Sequence, residues 1–158
     1  MKIVTCFLLI FIIYGCERKE LLPVTAQNLV EKIYSYQGEK AVLVNVWALW
    51  CKPCVEEFPM VVNLVNEWTD LEVIFVSVDF EEELKNVAGF LNKHYPRSVS
   101  YYKKQKDDDF INILNPNWSG GLPYTAIYSK EDGSLVDYWE GKKEESRFKE
   151  SIQKALKP

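Results

Sequence analysis

The chain has 158 residues, 47% of them apolar and 27% charged, the size and balance of one compact domain with a short extra segment rather than two domains. Its 19 basic and 23 acidic residues give a formal net charge of −4, which offers no basic surface to a nucleic acid. With four cysteines and one histidine, little material exists for a disulfide framework or a zinc centre.

Lys2 precedes an uncharged apolar run, Ile3 to Tyr14. Twelve helical residues rise about 18 Å, well short of the roughly 30 Å hydrocarbon core, so residues 1–15 read as a secretory signal peptide rather than a lasting span. The stretch "IYGC", Ile13 to Cys16, resembles the lipobox of bacterial lipoproteins, although Tyr14 is bulkier than the residue usual there. That resemblance implies cleavage before Cys16, lipidation of Cys16, and a domain held by membrane lipid in the bacterial cell envelope, on its periplasmic or extracytoplasmic face. Two or more acyl chains anchor firmly where one does not. The alternative is an ordinary export signal that leaves Cys16 unpaired. Residues 16–24 are then the lipidated N-terminus and tether, with "ERKELLP" as its polar part, and residues 25–158 the domain.

Thr25 can cap a helix whose apolar face is Ala26, Leu29, Val30, Ile33 and Tyr34, ended by Gly38. "AVLVNV", Ala41 to Val46, has the composition of a strand buried on both faces. A helix follows with Val55, Phe58, Val61, Val62, Val65 and Trp68 on one side; Pro59 within it predicts a kink. "EVIFVSV", Glu72 to Val78, is a second buried strand. Asp79 and Glu82 read as a capping pair for a helix carrying Leu84, Val87, Ala88 and Leu91. Strand, helix and strand at this spacing predict a parallel pair with a crossover helix. "KKQKDDD" reads as a solvated loop, in which Asp109 can cap a short helix through Leu114. "YTAIYS" and "SLVDYWE" flank "KEDG", a hairpin signal with Gly133 at the turn, and a last helix carries Phe148, Ile152, Ala155 and Leu156.

Cys51 and Cys54 fall where the first buried strand ends and a helix begins. Spacing alone leaves a structural disulfide, a metal site and a redox pair open. Position favours the last, because the first helical turn has unpaired N–H groups and the positive end of the dipole, both of which stabilise a thiolate. Cys51 is expected to be exposed there, with Lys52 beside it and Cys54 more enclosed. Pro53 suits a first turn, having no N–H to lose. Zinc needs about four ligands, and His94 stands far off on another predicted helix. No metal and no cofactor beyond the cysteine pair is expected.

"LVNVWALWCKPCVEEFP" resembles the active-site signature of the TlpA/ResA-like branch of the thioredoxin superfamily, through Trp47, Ala48, Trp50, Cys51, Pro53, Cys54, Glu57 and Pro59. Downstream, "GGLPYTAIYSKEDG" is similar to that family's Gly-x-Pro-x-Thr segment. The resemblance implies a thioredoxin-like α/β fold, a central mixed sheet of a parallel strand pair plus an antiparallel hairpin, flanked by helices. It implies that Cys51 attacks, Cys54 resolves, Glu57 shuttles a proton and Pro123 forms a cis peptide bond. Leu122 would pair with an extended substrate, with Trp50 and Pro53 beside it. Asn45 stands where ordinary thioredoxins carry a buried aspartate, which leaves more of the proton work to Glu57.

The activity so implied is thiol–disulfide exchange on protein thiols and disulfides. The expected direction is reductive, as in cytochrome c maturation, with a membrane thiol protein as electron donor and the chain as a monomer. A copper-binding metallochaperone of the same fold is the alternative, although such relatives separate their cysteines by three residues. A peroxide reductase lacks support because its threonine-rich nucleophile pattern is missing.

Overall fold

The computed structural model describes residues 21–94 and 100–157. The leader, Cys16 and most of the tether lie outside the described residues. The elements, in chain order, are β1 (Leu21–Val24), α1 (Ala26–Tyr34), β2 (Ala41–Trp47), α2 (Lys52–Glu67), β3 (Leu71–Ser77), a 3-10 turn (Glu81–Glu83), α3 (Leu84–His94), β4 (Ser100–Lys103), α4 (Asp107–Leu114), β5 (Tyr124–Tyr128), β6 (Leu135–Glu140) and α5 (Glu145–Ala155).

The six strands form one sheet in the order β1-β4-β3-β2-β5-β6. The first four of these run parallel, while β5 is antiparallel to β2 and to β6. The expected parallel pair is β2–β3 and the expected hairpin is β5–β6, turning at Gly133 with φ 71°. Two strands and a 3-10 turn are added to the expectation, and the expected short helix through Leu114 is α4, which starts at Asp107 with Lys106 rather than Asp109 at its N-cap. The last four residues of the expected tether form β1, and the expected "KKQKDDD" loop supplies the end of β4 and the first turn of α4. Three aspartates in that turn, Asp107 to Asp109, lie at the positive end of the helix dipole and favour it.

Every residue of β2 is buried, because helices cover both faces of the sheet. Alternation along the strand sends Leu43 and Trp47 into a core with Phe58 and Leu64 of α2, Val87 of α3 and Phe148 of α5. Val42, Val44 and Val46 face the other way, onto Leu29 and Ile33 of α1 and Phe110 of α4. Asn45 lies on the same side of β2 as Leu43 and Trp47, so its polar group points at α2. Thr25 caps α1 as expected, accepting from the Asn28 amide at 3.3 Å. No described helix is long and apolar enough to cross a membrane.

Asp79 is a correction. It does not cap α3. The residue before the 3-10 turn is Phe80, with no side-chain cap bond, and the Asp79 carboxylate turns back toward the β2–α2 loop.

Candidate active site

Cys51 is the N-cap of α2 and Cys54 completes the first turn, with Pro53 at the second helical position. The two sulfurs are joined in a disulfide, with Cα atoms 5.3 Å apart. Cys51 Sγ accepts the Cys54 amide at 3.3 Å, so a backbone N–H that no helical carbonyl can reach points at sulfur. The expected exposure of Cys51 is not seen. It is 6% accessible against 2% for Cys54, because the closed disulfide packs into the α2 side of the core. Lys52 stands in solvent and pairs loosely with Glu56 at 3.9 Å.

Glu57 follows Cys54 by three residues and so shares its side of α2. It is buried, with Oε1 accepting from Asn45 Nδ2 at 3.4 Å and Oε2 from the Lys143 amide at 2.9 Å. Asn45 Nδ2 also reaches Thr125 Oγ1 at 3.1 Å. Burial raises the Glu57 carboxyl above its usual range, and the bonds from Lys143 and Asn45 hold part of that rise back. Neighbouring Glu56 is half-exposed and pairs with Lys142 at 3.0 Å.

The Leu122–Pro123 peptide bond is cis, as the resemblance implied. The loop before it is tightly fastened. The Glu140 carboxylate accepts the Ser119 amide at 2.7 Å, the Ser119 hydroxyl at 2.6 Å and the Gly121 amide at 3.1 Å. A Cβ at Gly121 would run into that carboxylate, so a side chain there would force Glu140 to shift. Trp118 Nε1 donates to the Gly121 carbonyl at 2.9 Å and its ring stacks on Tyr124, 4.3 Å between centroids. Burial pushes the Tyr124 phenol up to about 12, so it stays neutral while accepting from Asn115.

A second fastening lies upstream. Both Asp79 carboxylate oxygens sit 3.0 Å from the Leu49 amide, and the Ser77 hydroxyl donates to one of them at 2.8 Å. This pins the loop that delivers Trp50 and Cys51. Neither Asp79 nor Glu140 was marked as a site residue by the sequence. Asp79 does stand at the C-terminal end of a buried parallel strand, where ligand sites of open α/β sheets gather; Glu140 carries no comparable signal. Of the three tryptophans near the motif, Trp47 is pure core, Trp118 is buried behind the cis-proline loop, and Trp50 is 62% exposed. His94 ends α3 and packs on Phe90, 4.5 Å between ring centroids. Among the described residues no group of three or more His, Cys, Asp or Glu is arranged to hold a metal ion.

Comparison with known proteins agrees with this geometry. The chain is 27% identical over 118 residues to the thiol-disulfide oxidoreductase ResA of Bacillus thuringiensis (strain Al Hakam), covering 73% of this chain and 63% of that protein. It is 40% identical over 107 residues to ResA of Oceanobacillus iheyensis, covering 65% of this chain and 50% of that one. The chain therefore spans less than two thirds of the length of these curated relatives. The crystal structure of a thiol:disulfide interchange protein of the thioredoxin family from Chlorobium tepidum TLS superposes with a TM-score of 0.64 at 22% identity, over 77% of this chain and 82% of that one, which fixes the thioredoxin-like fold. The AhpC/TSA family matches residues 22–133, and with the ResA likeness this places the chain in that family, in its TlpA/ResA-like branch.

Proposed function

We propose that this chain catalyses thiol–disulfide exchange on protein substrates, in the reducing direction, at the outer face of a bacterial membrane. The observation that carries the reading is the Cys51–Cys54 disulfide at the first turn of α2, with a buried carboxylic acid one turn further on. In the reduced protein the Cys51 thiolate, favoured by the helix N-terminus, attacks one sulfur of a substrate disulfide. A mixed disulfide forms and the other substrate sulfur leaves as a thiolate that takes up a proton. Cys54 gives its proton to Glu57 and attacks Cys51 Sγ. The Cys51–Cys54 bond forms, the second substrate thiol is released, and two electrons have passed to the substrate.

Leu122 and cis-Pro123 would receive an extended substrate as an added strand; among the described residues no hydrogen bond engages the Leu122 backbone. Trp50, which shares the groove lining with Leu122, and Pro53 would flank the bound substrate. A membrane thiol protein would restore the reduced pair, and the chain would act as a monomer. Membrane attachment through lipid on Cys16 rests on the apolar leader and the lipobox alone, and cytochrome c maturation on the resemblance of the active-site motif alone.

The test follows turnover of a fluorogenic peptide disulfide with a chemical reductant, together with Cys51→Ser and Cys54→Ala. Wild type turns over, Cys51→Ser is inert, and Cys54→Ala stops after one event as a mixed disulfide on Cys51. Activity surviving in Cys51→Ser overturns the assignment. Run in the native host, the Cys54→Ala adducts name the partners. A reduction potential below about −230 mV supports the reducing direction, and one near −120 mV reverses it.

A further inference from the structure

A groove of about 460 Å³, within the size range of binding clefts, is lined in part by the loops that lead into Cys51 and cis-Pro123. Trp50, the residue before Cys51, and Leu122, the residue before Pro123, belong to its lining. From there it runs past Phe80 toward α4 and Trp118. Phe80 and Trp50, 71% and 62% exposed, are the two most exposed large apolar side chains among the described residues, and both stand on this groove. Aromatic groups of that size left in water mark a contact surface when they cluster.

The charged residues of the lining are Asp79, Glu81 and Asp107 against one lysine, Lys103. Their partners decide what remains. Asp79 is engaged by Leu49 and Ser77, and Lys103 is held by Asp107 at 2.7 Å and by the Gln105 carbonyl at 2.6 Å. Glu81 is exposed and has no cation partner among the described residues. It is followed by Glu82 and Glu83, while on the α4 side Asp108 and Asp109, outside the lining, are offset by Lys104 and Lys106. The lysine is spent and the groove stays negative.

We propose that this groove selects polypeptide disulfides in which an apolar or aromatic residue and a lysine or arginine lie within a few residues of the attacked cysteine. The apolar side chain rests between Trp50 and Phe80, and the basic one meets Glu81. The inference rests on the redox reading above and adds the substrate class. Like-charged segments are disfavoured at the same place, so the groove both attracts and excludes.

The experiment compares two fluorogenic peptide disulfides that share a leucine beside the cysteine and differ only in carrying lysine or glutamate two residues away. Second-order rate constants for the reduced protein are measured at low and high salt, alongside a small uncharged disulfide. One or two exposed charge contacts correspond to a lysine-to-glutamate rate ratio of about 3- to 10-fold at low salt, shrinking toward unity as salt screens them. Glu81→Lys should bring the ratio to one or below. Glu39→Lys, the same charge change on an exposed turn after α1, should leave it at the wild-type value. Equal rates for both peptides in wild type, a preference for glutamate, or a ratio insensitive to Glu81→Lys overturns the groove assignment and leaves the redox reading standing. Failure to reduce either peptide or the small disulfide overturns both.

Discussion

Asp79→Ala is the most informative perturbation of the scaffold, because one buried carboxylate holds the loop that carries Cys51. The substitution strands two donors, the Leu49 amide and the Ser77 hydroxyl, at a site where Asp79 is 8% exposed. Hydrogen bonds to a charged group contribute about 1.5–3 kcal/mol each. Leu49 is only half-buried and water can recover part of its bond, so the expected loss is about 3 kcal/mol. That is a large share of a total of about 5–15 kcal/mol. Asp79→Asn keeps one accepting oxygen and should cost about 1–2 kcal/mol. Urea unfolding of the oxidised protein at neutral pH, with the slope m unchanged, reads these losses. A second measurement separates positioning from general weakening: the pH profile of Cys51 alkylation in the reduced protein. It should move in both Asp79 variants but stay in place in Leu64→Ala, a core truncation on α2 that costs about 2–5 kcal/mol. A loss below about 0.5 kcal/mol in Asp79→Ala, the range of ordinary surface substitutions, or an unmoved alkylation profile refutes the reasoning.

Three further outcomes are expected. Burial favours the neutral form of Glu57, so the native state binds its proton more tightly than the unfolded chain does. The stability from that preference is full below the ordinary carboxyl value of 4.5 and is lost as pH rises through the raised folded value, while Glu57→Gln lacks this slope. Denaturant titrations of the oxidised proteins across pH 4–8 check it, the cysteines being silent there. In the reduced protein the same variant should slow the resolving step by about 10²-fold or more, read by stopped-flow decay of the mixed disulfide. Glu140→Ala frees Ser119 and Gly121 but exposes them to water, so it should cost only about 1–2 kcal/mol. Its kinetic effect should fall on KM for peptide disulfides, with Cys51 alkylation at the wild-type rate; an unchanged KM would leave Glu140 without a role in presenting Leu122 and Pro123.

The parts of the fold that can be read from sequence are those whose surroundings are uniform. β2 is apolar throughout because both its faces are covered, and α1 announces itself by Thr25 and helical spacing. β1 is different. Four residues containing a proline carry little strand preference, and what makes them a strand is pairing with β4, where Leu21 stands opposite Ser100. Pro23 is tolerated because, among the described residues, β1 is an edge strand and its missing N–H faces no described strand on the open side. β4 is likewise short, only half-buried beyond Ser100, and defined by the strands on either side of it. Lysines and aspartates around it hide the transition from sheet to helix, since the same charges that look like a solvated loop favour the first turn of α4.

The site divides along the same line. Cys51, Pro53 and Cys54 act within one helical turn, so their spacing is itself the geometry. Asp79 reaches Leu49 across 30 residues and Glu140 reaches Ser119 across 21, and no local pattern foretells such meetings. Asn45 shows how the two kinds of information combine. A lone amide in an apolar strand needs a partner wherever it points, and the alternation of β2 points it at α2. There it donates to Glu57 while also reaching Thr125. An amide stabilises the carboxylate by donation without adding charge, whereas a second buried acid at the same position would compete for the proton. The strand thus leaves Glu57 the sole buried carboxyl among the described residues of α2 and β2, poised by opposing pulls: burial toward the acid, two N–H donors toward the anion. A group held between those pulls is what the proposed proton transfer from Cys54 requires.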